Sequence, residues 1–219
     1  MSIQQNLQHI TSTLPKHVTL VAVSKTKPIS DLMEAYHAGQ RIFGENKIQE
    51  MTDKYEAMPK DIEWHMIGHV QRNKVKYMAS FVHLIHGVDN FKLLFEINKQ
   101  AKKYDRIIYC LFQIKIASED SKFGMSANEA SEIMQSEAFS ALKHIKIIGV
   151  MGMATFTDNT NQVEKEFTLL KTTFDKFKIQ NSEFKIISMG MSGDYKLAID
   201  CGSNMIRVGS SIFGERNYN

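Results

Sequence analysis

Short apolar runs alternate with longer amphipathic segments along the whole chain. The apolar runs are too short to be helices of their own, and the first of them carries β-branched residues, which predicts buried strands. We place eight strands at 19–24, 41–44, 62–67, 82–87, 107–116, 145–151, 184–188 and 205–208. The segments between the strands have the spacing of helices that bury one face.

An opening helix and seven connecting helices complete this pattern. They are predicted at 2–14, 30–38, 47–57, 71–79, 90–102, 127–136, 161–178 and 193–201. Gly39, Asp89-Asn90 and Gly202 provide start or stop signals for three of them. Eight strand–helix repeats predict a single (β/α)8 TIM-type barrel over residues 1–219, with the N-terminal helix as an extra outer element. A doubly wound open sheet is the competing architecture, but no strand pattern marks an edge.

Composition excludes several classes of protein. Of the 219 residues, 43% are hydrophobic and 23% are charged, as in an ordinary globular protein with a sizeable core. The net charge of +3, with scattered lysines, argues against a nucleic-acid partner. The two cysteines, Cys110 and Cys201, form neither a disulfide framework nor a zinc motif, which suits a reducing compartment. Without a signal-peptide pattern or a long apolar segment, we expect a cytoplasmic protein with no membrane contact.

Lys25 stands where the first buried strand opens into a loop. The apolar run 20–24 ends beside it, and Pro28 follows closely. In parallel α/β folds, ligands bind at the carboxyl ends of the strands. A partly desolvated ammonium there loses proton affinity and becomes an amine nucleophile for a carbonyl. A surface lysine that extends from a strand end into water is the alternative interpretation.

Two segments rich in Gly and Ser, 188–194 and 207–211, follow the seventh and eighth strands. Glycine allows the backbone to approach a ligand closely, and serine hydroxyls add hydrogen-bond donors. The loops after these two strands are the usual phosphate site of barrel enzymes. We therefore predict a phosphate site here. Ordinary turn and capping residues are the alternative, with Ser192 as a plain N-cap.

Arg207 ends the last predicted strand, beside this phosphate site. Its guanidinium is a permanent cation and donor, suited to holding a phosphate or to facing an aromatic ring nitrogen. A structural ion pair with Glu45 or Glu215 is the alternative.

His65 and His69 are four residues apart, which is a metal-ligand spacing only on a helix. Gly68 lies between them in a strand-to-loop region, and no carboxylate follows with zincin spacing. We therefore predict no metal site.

An amine, a phosphate site and an arginine at one barrel mouth suit an aldehyde that carries a phosphate. Pyridoxal 5′-phosphate (PLP) is such a ligand, and we predict that Lys25 holds it as a Schiff base. A sugar-phosphate-binding barrel with Lys25 as an aldolase-type amine is a different function class, and it would carry no chromophore.

Six motifs in this chain resemble the pyridoxal phosphate homeostasis proteins. They are AVSKTKP (22–28), FGEN (43–46), EWHMIGHVQRNK (63–74), SKFG (121–124), MGMSGD (189–194) and RVGSSIFGER (207–216). The resemblance runs in order through nearly the whole chain. It implies the barrel of the alanine racemase N-terminal domain, which belongs to the fold-type III group of pyridoxal enzymes.

The resemblance also implies roles for individual residues. Lys25 carries the cofactor, Arg207 faces the pyridine nitrogen and Asn46 lines the ring pocket. The phosphate ligands are Ser192, Gly209 and Ser210. Some relatives have Thr in place of Ser210, and the hydroxyl is kept.

The family is regarded as a carrier of PLP and a regulator of vitamin B6 pools, without an established reaction. Arg207 at the pyridine nitrogen would weaken the electron sink that racemisation needs. Alanine racemases take a second base from an additional β-domain and a partner subunit, and this chain, ending at Asn219, has no room for that domain. We therefore expect a monomeric PLP carrier with no catalytic residues, whose recipients are PLP-dependent apoenzymes. A weak PLP-dependent amino-acid racemase is the alternative.

Overall fold

The computed structural model describes residues 2–119 and 123–215. Three motif residues, Ser121, Lys122 and Arg216, lie outside these described residues. The described chain forms eight parallel strands that close into one barrel in chain order. The strands are β1 (Thr19–Val23), β2 (Ile42–Glu45), β3 (Glu63–Met66), β4 (Leu84–Val88), β5 (Ile108–Gln113), β6 (Ile145–Met151), β7 (Ile186–Ser188) and β8 (Met205–Val208).

Helices surround the barrel on its outside. They are α1 (Ile3–Thr13), α2 (Ile29–His37), α3 (Ile48–Ala57), α4 (Phe91–Lys103), α5 (Ala127–Gln135), α6 (Glu137–Ser140), α7 (Thr160–Gln180), α8 (Tyr195–Asp200) and α9 (Ser210–Phe213), with a 3₁₀ helix at Arg72–Tyr77. The N-terminal helix α1 begins in a capping box of Ser2 and Gln5 and packs against α2 and α9. Within the described residues, no helix combines the length and apolar character needed to cross a bilayer.

The barrel closes between its first and last strands. β1 pairs with β8 from Thr19↔Met205 to Ala22↔Val208, and it pairs with β2 on its other side. Alternate side chains point into the lumen, where an apolar cluster is formed by Val21, Ile67, Leu84, Leu111, Met151 and Met205. The other face of the strands packs under the helices in the larger core. The carboxyl ends of all eight strands therefore meet at one mouth.

The predicted barrel is confirmed, and the open sheet is wrong because β1 and β8 are paired. The bounds of β6 and β8 are those predicted. The predicted helix at 71–79 is wrong in type, since this segment contains the 3₁₀ helix. Within the 3₁₀ helix itself only Val75 is buried, and the buried residues Met78 and Ala79 follow after it ends.

Three further differences concern short helices. The four-residue helices α6 and α9 were not predicted, because four residues are too few to show a hydrophobic period. Helix α8 begins at Tyr195, two residues later than predicted. The loop before it is therefore longer, and Ser192 lies in this loop rather than at the N-cap.

Close backbone packing at the mouth requires glycine at two positions. A Cβ on Gly68 would lie 2.5 Å from the carbonyl oxygen of Asn46, and a Cβ on Gly87 would lie 2.5 Å from the carbonyl oxygen of Gly68. Both distances are far below van der Waals contact. The backbone segments that follow β2, β3 and β4 therefore pack closely against one another, and this packing fixes the backbone of Asn46.

Candidate functional site

A cleft of about 640 Å³ opens at the mouth of the barrel. Clefts of roughly 300–1,000 Å³ are typical of small-molecule sites. All six residues predicted to bind a cofactor line this cleft: Lys25, Asn46, Ser192, Arg207, Gly209 and Ser210. They lie in or just after strands β1, β2, β7 and β8, which are neighbours around the closed barrel.

Lys25 is half-buried in the loop that leaves β1. The next residue, Thr26, has a φ of 62°, which is an unusual conformation for a residue with a branched side chain. Its backbone N–H donates to Oε1 of Glu50 on α3 at 2.6 Å. A tight turn held by a carboxylate therefore fixes the position of Lys25 at the end of its strand.

A buried ion pair lies directly behind this turn. Lys54 and Glu45 are 5% and 0% exposed, and Lys54 Nζ lies 2.8 Å from Glu45 Oε1. Lys54 also donates to Glu50 and to the carbonyl oxygen of Ser24, while the Ser24 hydroxyl donates to Glu45 at 2.6 Å. Burial raises the pKa of Glu45, and Lys54 opposes that rise. Glu45 is thus paired with Lys54 and not with Arg207.

The loops after β7 and β8 touch each other across the cleft. The backbone N–H of Gly209 donates to Ser192 Oγ at 3.2 Å. A Cβ on Gly209 would lie 3.1 Å from the carbonyl oxygen of Val23, so a larger residue would be crowded against the end of β1. Ser210 begins α9 and is exposed at the cleft. Hydroxyl and backbone donors therefore converge where the sequence predicted a phosphate.

Asp194, in the loop before α8, also lines the cleft. Its Oδ1 accepts from the backbone N–H of Met191 at 2.6 Å, which holds the Ser192 loop in shape. Burial raises the pKa of Asp194, whereas the Met191 N–H and the Arg207 guanidinium act in the opposite direction.

Arg207 points into the top of the lumen and is 4% exposed. It donates to Ser188 Oγ at 2.6 Å and to the carbonyl oxygen of Gly152 at 3.1 Å. Burial lowers the pKa of Arg207 to about 10, with Asp194 opposing the shift. The guanidinium therefore stays charged at neutral pH and is held in one orientation.

A column of polar side chains continues from Arg207 down the lumen. Ser188 Oγ lies 3.0 Å from His86 Nδ1, and His86 Nε2 lies 3.1 Å from His65 Nδ1. Burial lowers the pKa of His65 to about 3, and His83 adds to this effect. Burial also holds the pKa of His86 well below its usual value, with smaller effects from His65 and Arg207. Both imidazoles are neutral at physiological pH.

His86 was missed by the sequence analysis. A histidine inside the apolar run of β4 was the available signal, because alternation along a barrel strand directs such a side chain into the lumen. His65 and His69, considered as a metal pair, point to different places. His69 lies at the mouth, 3.3 Å from Asp89 and stacked on Phe123 at 4.4 Å between ring centroids.

Glu166 on α7 joins the loops after β5 and β6 and was also missed. Its carboxylate accepts from the N–H and hydroxyl of Ser118, from the N–H and hydroxyl of Thr155, and from Gln162. Burial alone would raise the pKa of Glu166, but these hydrogen bonds outweigh it and lower the pKa. The rim formed by Thr155 and Phe156 is therefore fixed by one carboxylate.

Comparison with known proteins identifies the family. Residues 1–217 match the family described as "Alanine racemase, N-terminal domain". A pyridoxal phosphate homeostasis protein of Pasteurella multocida (strain Pm70) is 37% identical over an alignment of 224 positions, which covers 99% of this chain and 95% of the relative. The chain belongs to the pyridoxal phosphate homeostasis protein family. Another member, from Vibrio alginolyticus, is 38% identical over 99% of both chains.

Solved structures of this family share the barrel. PipY of Synechococcus elongatus PCC7942, solved with PLP bound, matches with a TM-score of 0.88 and 31% identity, over 97% of this chain and all of PipY. An alanine racemase of Clostridium difficile 630 matches with a TM-score of 0.82 but only 16% identity, over 100% of this chain and 60% of the racemase. The racemase likeness supports the fold alone.

The buried ion pair behind Lys25 generates a stability prediction. Lys54→Met leaves the Glu45 carboxylate buried without its partner, and we expect the free energy of unfolding to fall by about 3–5 kcal/mol at neutral pH. Because burial raises the pKa of Glu45 in the folded state, the folded protein holds that proton more tightly than the unfolded chain does. The loss of stability in Lys54→Met should therefore be largest above the raised pKa of Glu45, where the carboxylate is charged. It should shrink as the pH falls and Glu45 becomes protonated. Urea unfolding at about pH 5 and about pH 8, followed by Trp64 fluorescence, measures it.

Two further variants control this experiment. Lys54→Met/Glu45→Gln removes both charges and should recover most of the lost stability. Lys47→Met, at an exposed lysine just before α3, should change little. Equal losses in the single and double variants would contradict the pairing.

Proposed function

We propose that this chain binds PLP and acts in PLP homeostasis. The observation that carries the proposal is that Lys25, Arg207 and the two serine–glycine loops line one cleft. The family name of the curated relatives and the PLP bound to PipY support the same ligand.

The cleft fits PLP in size and in donor chemistry. Its volume lies within the range of small-molecule sites. Bound PLP supplies an aldehyde that reacts with a primary amine to form a Schiff base. Lys25 is the proposed amine, and Asn46 the proposed side chain at the edge of the ring.

The phosphate group is assigned to the loops after β7 and β8. Ser192, Gly209 and Ser210 offer hydroxyl and backbone donors there, and Gly209 leaves room for close approach. An oxyanion accepting from such donors is bound more strongly than a neutral acceptor.

Lys27 competes less well with Lys25 for the aldehyde. Its ammonium donates to the carbonyl oxygens of Phe213 and Glu215, at 2.8 and 2.9 Å. These two hydrogen bonds hold the Lys27 side chain against the segment that follows β8. Lys25 lies two residues earlier, just after the end of β1, and is the lysine to which the family resemblance assigns the cofactor, so we propose attachment there.

Arg207 favours a carrier over an efficient racemase. Its guanidinium is charged at neutral pH and held by Ser188 and Gly152. Placed at the ring nitrogen, it is a donor that keeps this nitrogen unprotonated, and an unprotonated ring stabilises a carbanion poorly. We therefore propose reversible PLP binding with little turnover of amino acids, and weak PLP-dependent racemase activity is the alternative.

A sugar-phosphate-binding barrel with Lys25 as an aldolase-type amine is a third class of function. It predicts a purified protein without a visible chromophore.

The remaining expectations stay predictions. The chain is expected to be monomeric and cytoplasmic, and to pass PLP to PLP-dependent apoenzymes. Analytical ultracentrifugation tests the first of these, and transfer of PLP to a purified apoenzyme tests the last.

Attachment at Lys25 is tested by reduction. Purified protein incubated with PLP should absorb in the near-ultraviolet to visible range as a Schiff base. Borohydride should fix the label on Lys25, identified by peptide mass spectrometry. Lys27→Ala is the matched control and should keep a full label at Lys25. A Lys25→Ala protein that retains full, reducible absorbance at one other lysine would refute the assignment.

Phosphate binding is tested at Ser192. Loss of a hydrogen bond to a charged group costs roughly 1.5–3 kcal/mol, so Ser192→Ala should weaken PLP retention by about tenfold or more. Equilibrium dialysis measures the affinity, and pyridoxal without its phosphate should bind far more weakly than PLP. Ser182→Ala, at an exposed serine between α7 and β7, should bind as the unaltered protein does. Equal retention of PLP and pyridoxal would place the phosphate outside these loops.

Turnover separates the carrier from the racemase. We expect solvent deuterium exchange at the α-carbon of alanine and serine to stay near the rate given by free PLP, because Arg207 disfavours the carbanion. The measurement is NMR of these amino acids in D₂O with PLP-loaded protein at high concentration. Exchange at many turnovers per second, abolished in Lys25→Ala, would establish the racemase instead.

A further inference from the structure

A second cluster of chemically active side chains lies at the other end of the barrel. Glu63 is the first residue of β3, His65 lies two residues further along, and His83 precedes β4. A Glu oxygen and one ring nitrogen of each histidine all lie within 4.8 Å of one another. This cluster is at the amino ends of the strands, whereas the PLP cleft is at the carboxyl ends.

We propose that Glu63, His65 and His83 bind a divalent transition-metal ion, of which Zn²⁺ fits best. Two imidazole nitrogens and one carboxylate oxygen are a ligand set that Zn²⁺ takes in proteins, with the fourth position open to water. With metal–ligand bonds of about 2.0–2.1 Å, tetrahedral ligand atoms lie about 3.3 Å apart. His83 Nε2 and Glu63 Oε2 are already 3.5 Å apart.

His65 supplies the observation that distinguishes this cluster from a surface ion pair. Its side chain is 1% exposed, and its Nε2 has no hydrogen-bond partner among the described residues. A buried polar atom without a partner destabilises the folded state, so native proteins seldom contain one without a specific reason. A metal ion bound to this nitrogen satisfies it.

The other nitrogen of His65 is held as a metal ligand requires. Metal-binding histidines usually donate their second N–H to an acceptor that fixes the ring. Here His65 Nδ1 lies 3.1 Å from His86 Nε2. If Nε2 binds the metal, Nδ1–H donates to His86, and His86 Nδ1–H donates to Ser188 Oγ. The Ser188 oxygen has two lone pairs and also accepts from Arg207. All hydrogen bonds of the column can therefore form while His65 Nε2 binds the metal.

Glu63 and His83, the other two proposed ligands, have side chains that can change orientation. The backbone N–H of His83 donates to the carbonyl oxygen of Trp64, which fixes its chain beside β3. The side chains of His83 and Glu63 are each 45% exposed, so small rotations can bring them to bonding distance of a metal ion. The site would join the amino ends of β3 and β4, far from the cleft where PLP is proposed to bind.

The test uses Co²⁺ as a spectroscopic probe and Zn²⁺ as its competitor. The full-length protein, loaded with PLP and stripped of metal by a chelator, is titrated with Co²⁺. We expect one equivalent to bind, with the intense visible d–d absorption of four-coordinate Co²⁺, and Zn²⁺ to displace it. Because a metal that binds only the folded state stabilises it, the melting temperature should rise with Zn²⁺ concentration.

Two variants decide whether the cluster is the site. His83→Gln and Glu63→Gln change half-exposed side chains and leave buried His65 in place, so both should fold. Disturbing an outer partner of a metal site typically costs about 10–100-fold in affinity, so loss of a ligand should weaken Co²⁺ binding at least tenfold. His37→Gln, at an exposed histidine at the end of α2, should bind as the unaltered protein does. Absence of stoichiometric binding, or undiminished binding in the two variants, would overturn the proposal and leave Glu63–His83 as an ion pair.

Discussion

The parallel pairing of β1 with β8 is the constraint on which the rest of the molecule depends. Closure leaves the sheet without a free edge and brings the carboxyl ends of all eight strands to one mouth. Lys25 follows β1 and Arg207 belongs to β8, so residues 182 positions apart in sequence become neighbours through this single seam. An open sheet with the strands in the same order would place these two residues at opposite edges, and Lys25 would be separated from the serine–glycine loops after β7 and β8.

Closure also creates a lumen that side chains must fill. In this barrel, both apolar side chains and hydrogen-bonded polar side chains fill it. Apolar side chains such as Leu111 and Met151 occupy part of it, while Arg207, Ser188, His86 and His65 form a hydrogen-bonded column through the rest. A buried guanidinium is tolerated only when its donors are satisfied, and Ser188 and Gly152 satisfy two of them. The column restricts Arg207 to one orientation, which a flexible surface arginine would not have.

The sequence predicted the barrel and the residues of the mouth well, because both depend on local signals. An apolar run marks a strand, and the residues just after it face the mouth in any parallel barrel. Lys25, Asn46, Ser192, Arg207, Gly209 and Ser210 were all found in this way or through the family motifs, and all line the cleft.

Contacts between distant segments could not be predicted in this way. The pairing of Lys54 with Glu45 depends on the rotation of α3 against β2, and the hydrogen bonds of Glu166 depend on where two loops pass over α7. The Glu63–His65–His83 cluster combines two strands through side-chain directions that periodicity alone does not give. Helix α9 was not predicted, and the segment that forms the 3₁₀ helix was predicted to be an α-helix. Segments of four to six residues carry too little periodic signal to be identified.

Four of the five hydrogen bonds accepted by Glu166 come from Ser118, which follows β5, and from Thr155, which follows β6. The N–H of Ser118 also donates to the Thr155 hydroxyl at 3.2 Å, so the two residues are linked both directly and through one carboxylate. Movement of the Glu166 side chain would release Ser118 and Thr155 together, so we expect the local fluctuations of these two residues to be coupled rather than independent. Thr155 lines the cleft, so this coupling extends to the cleft rim.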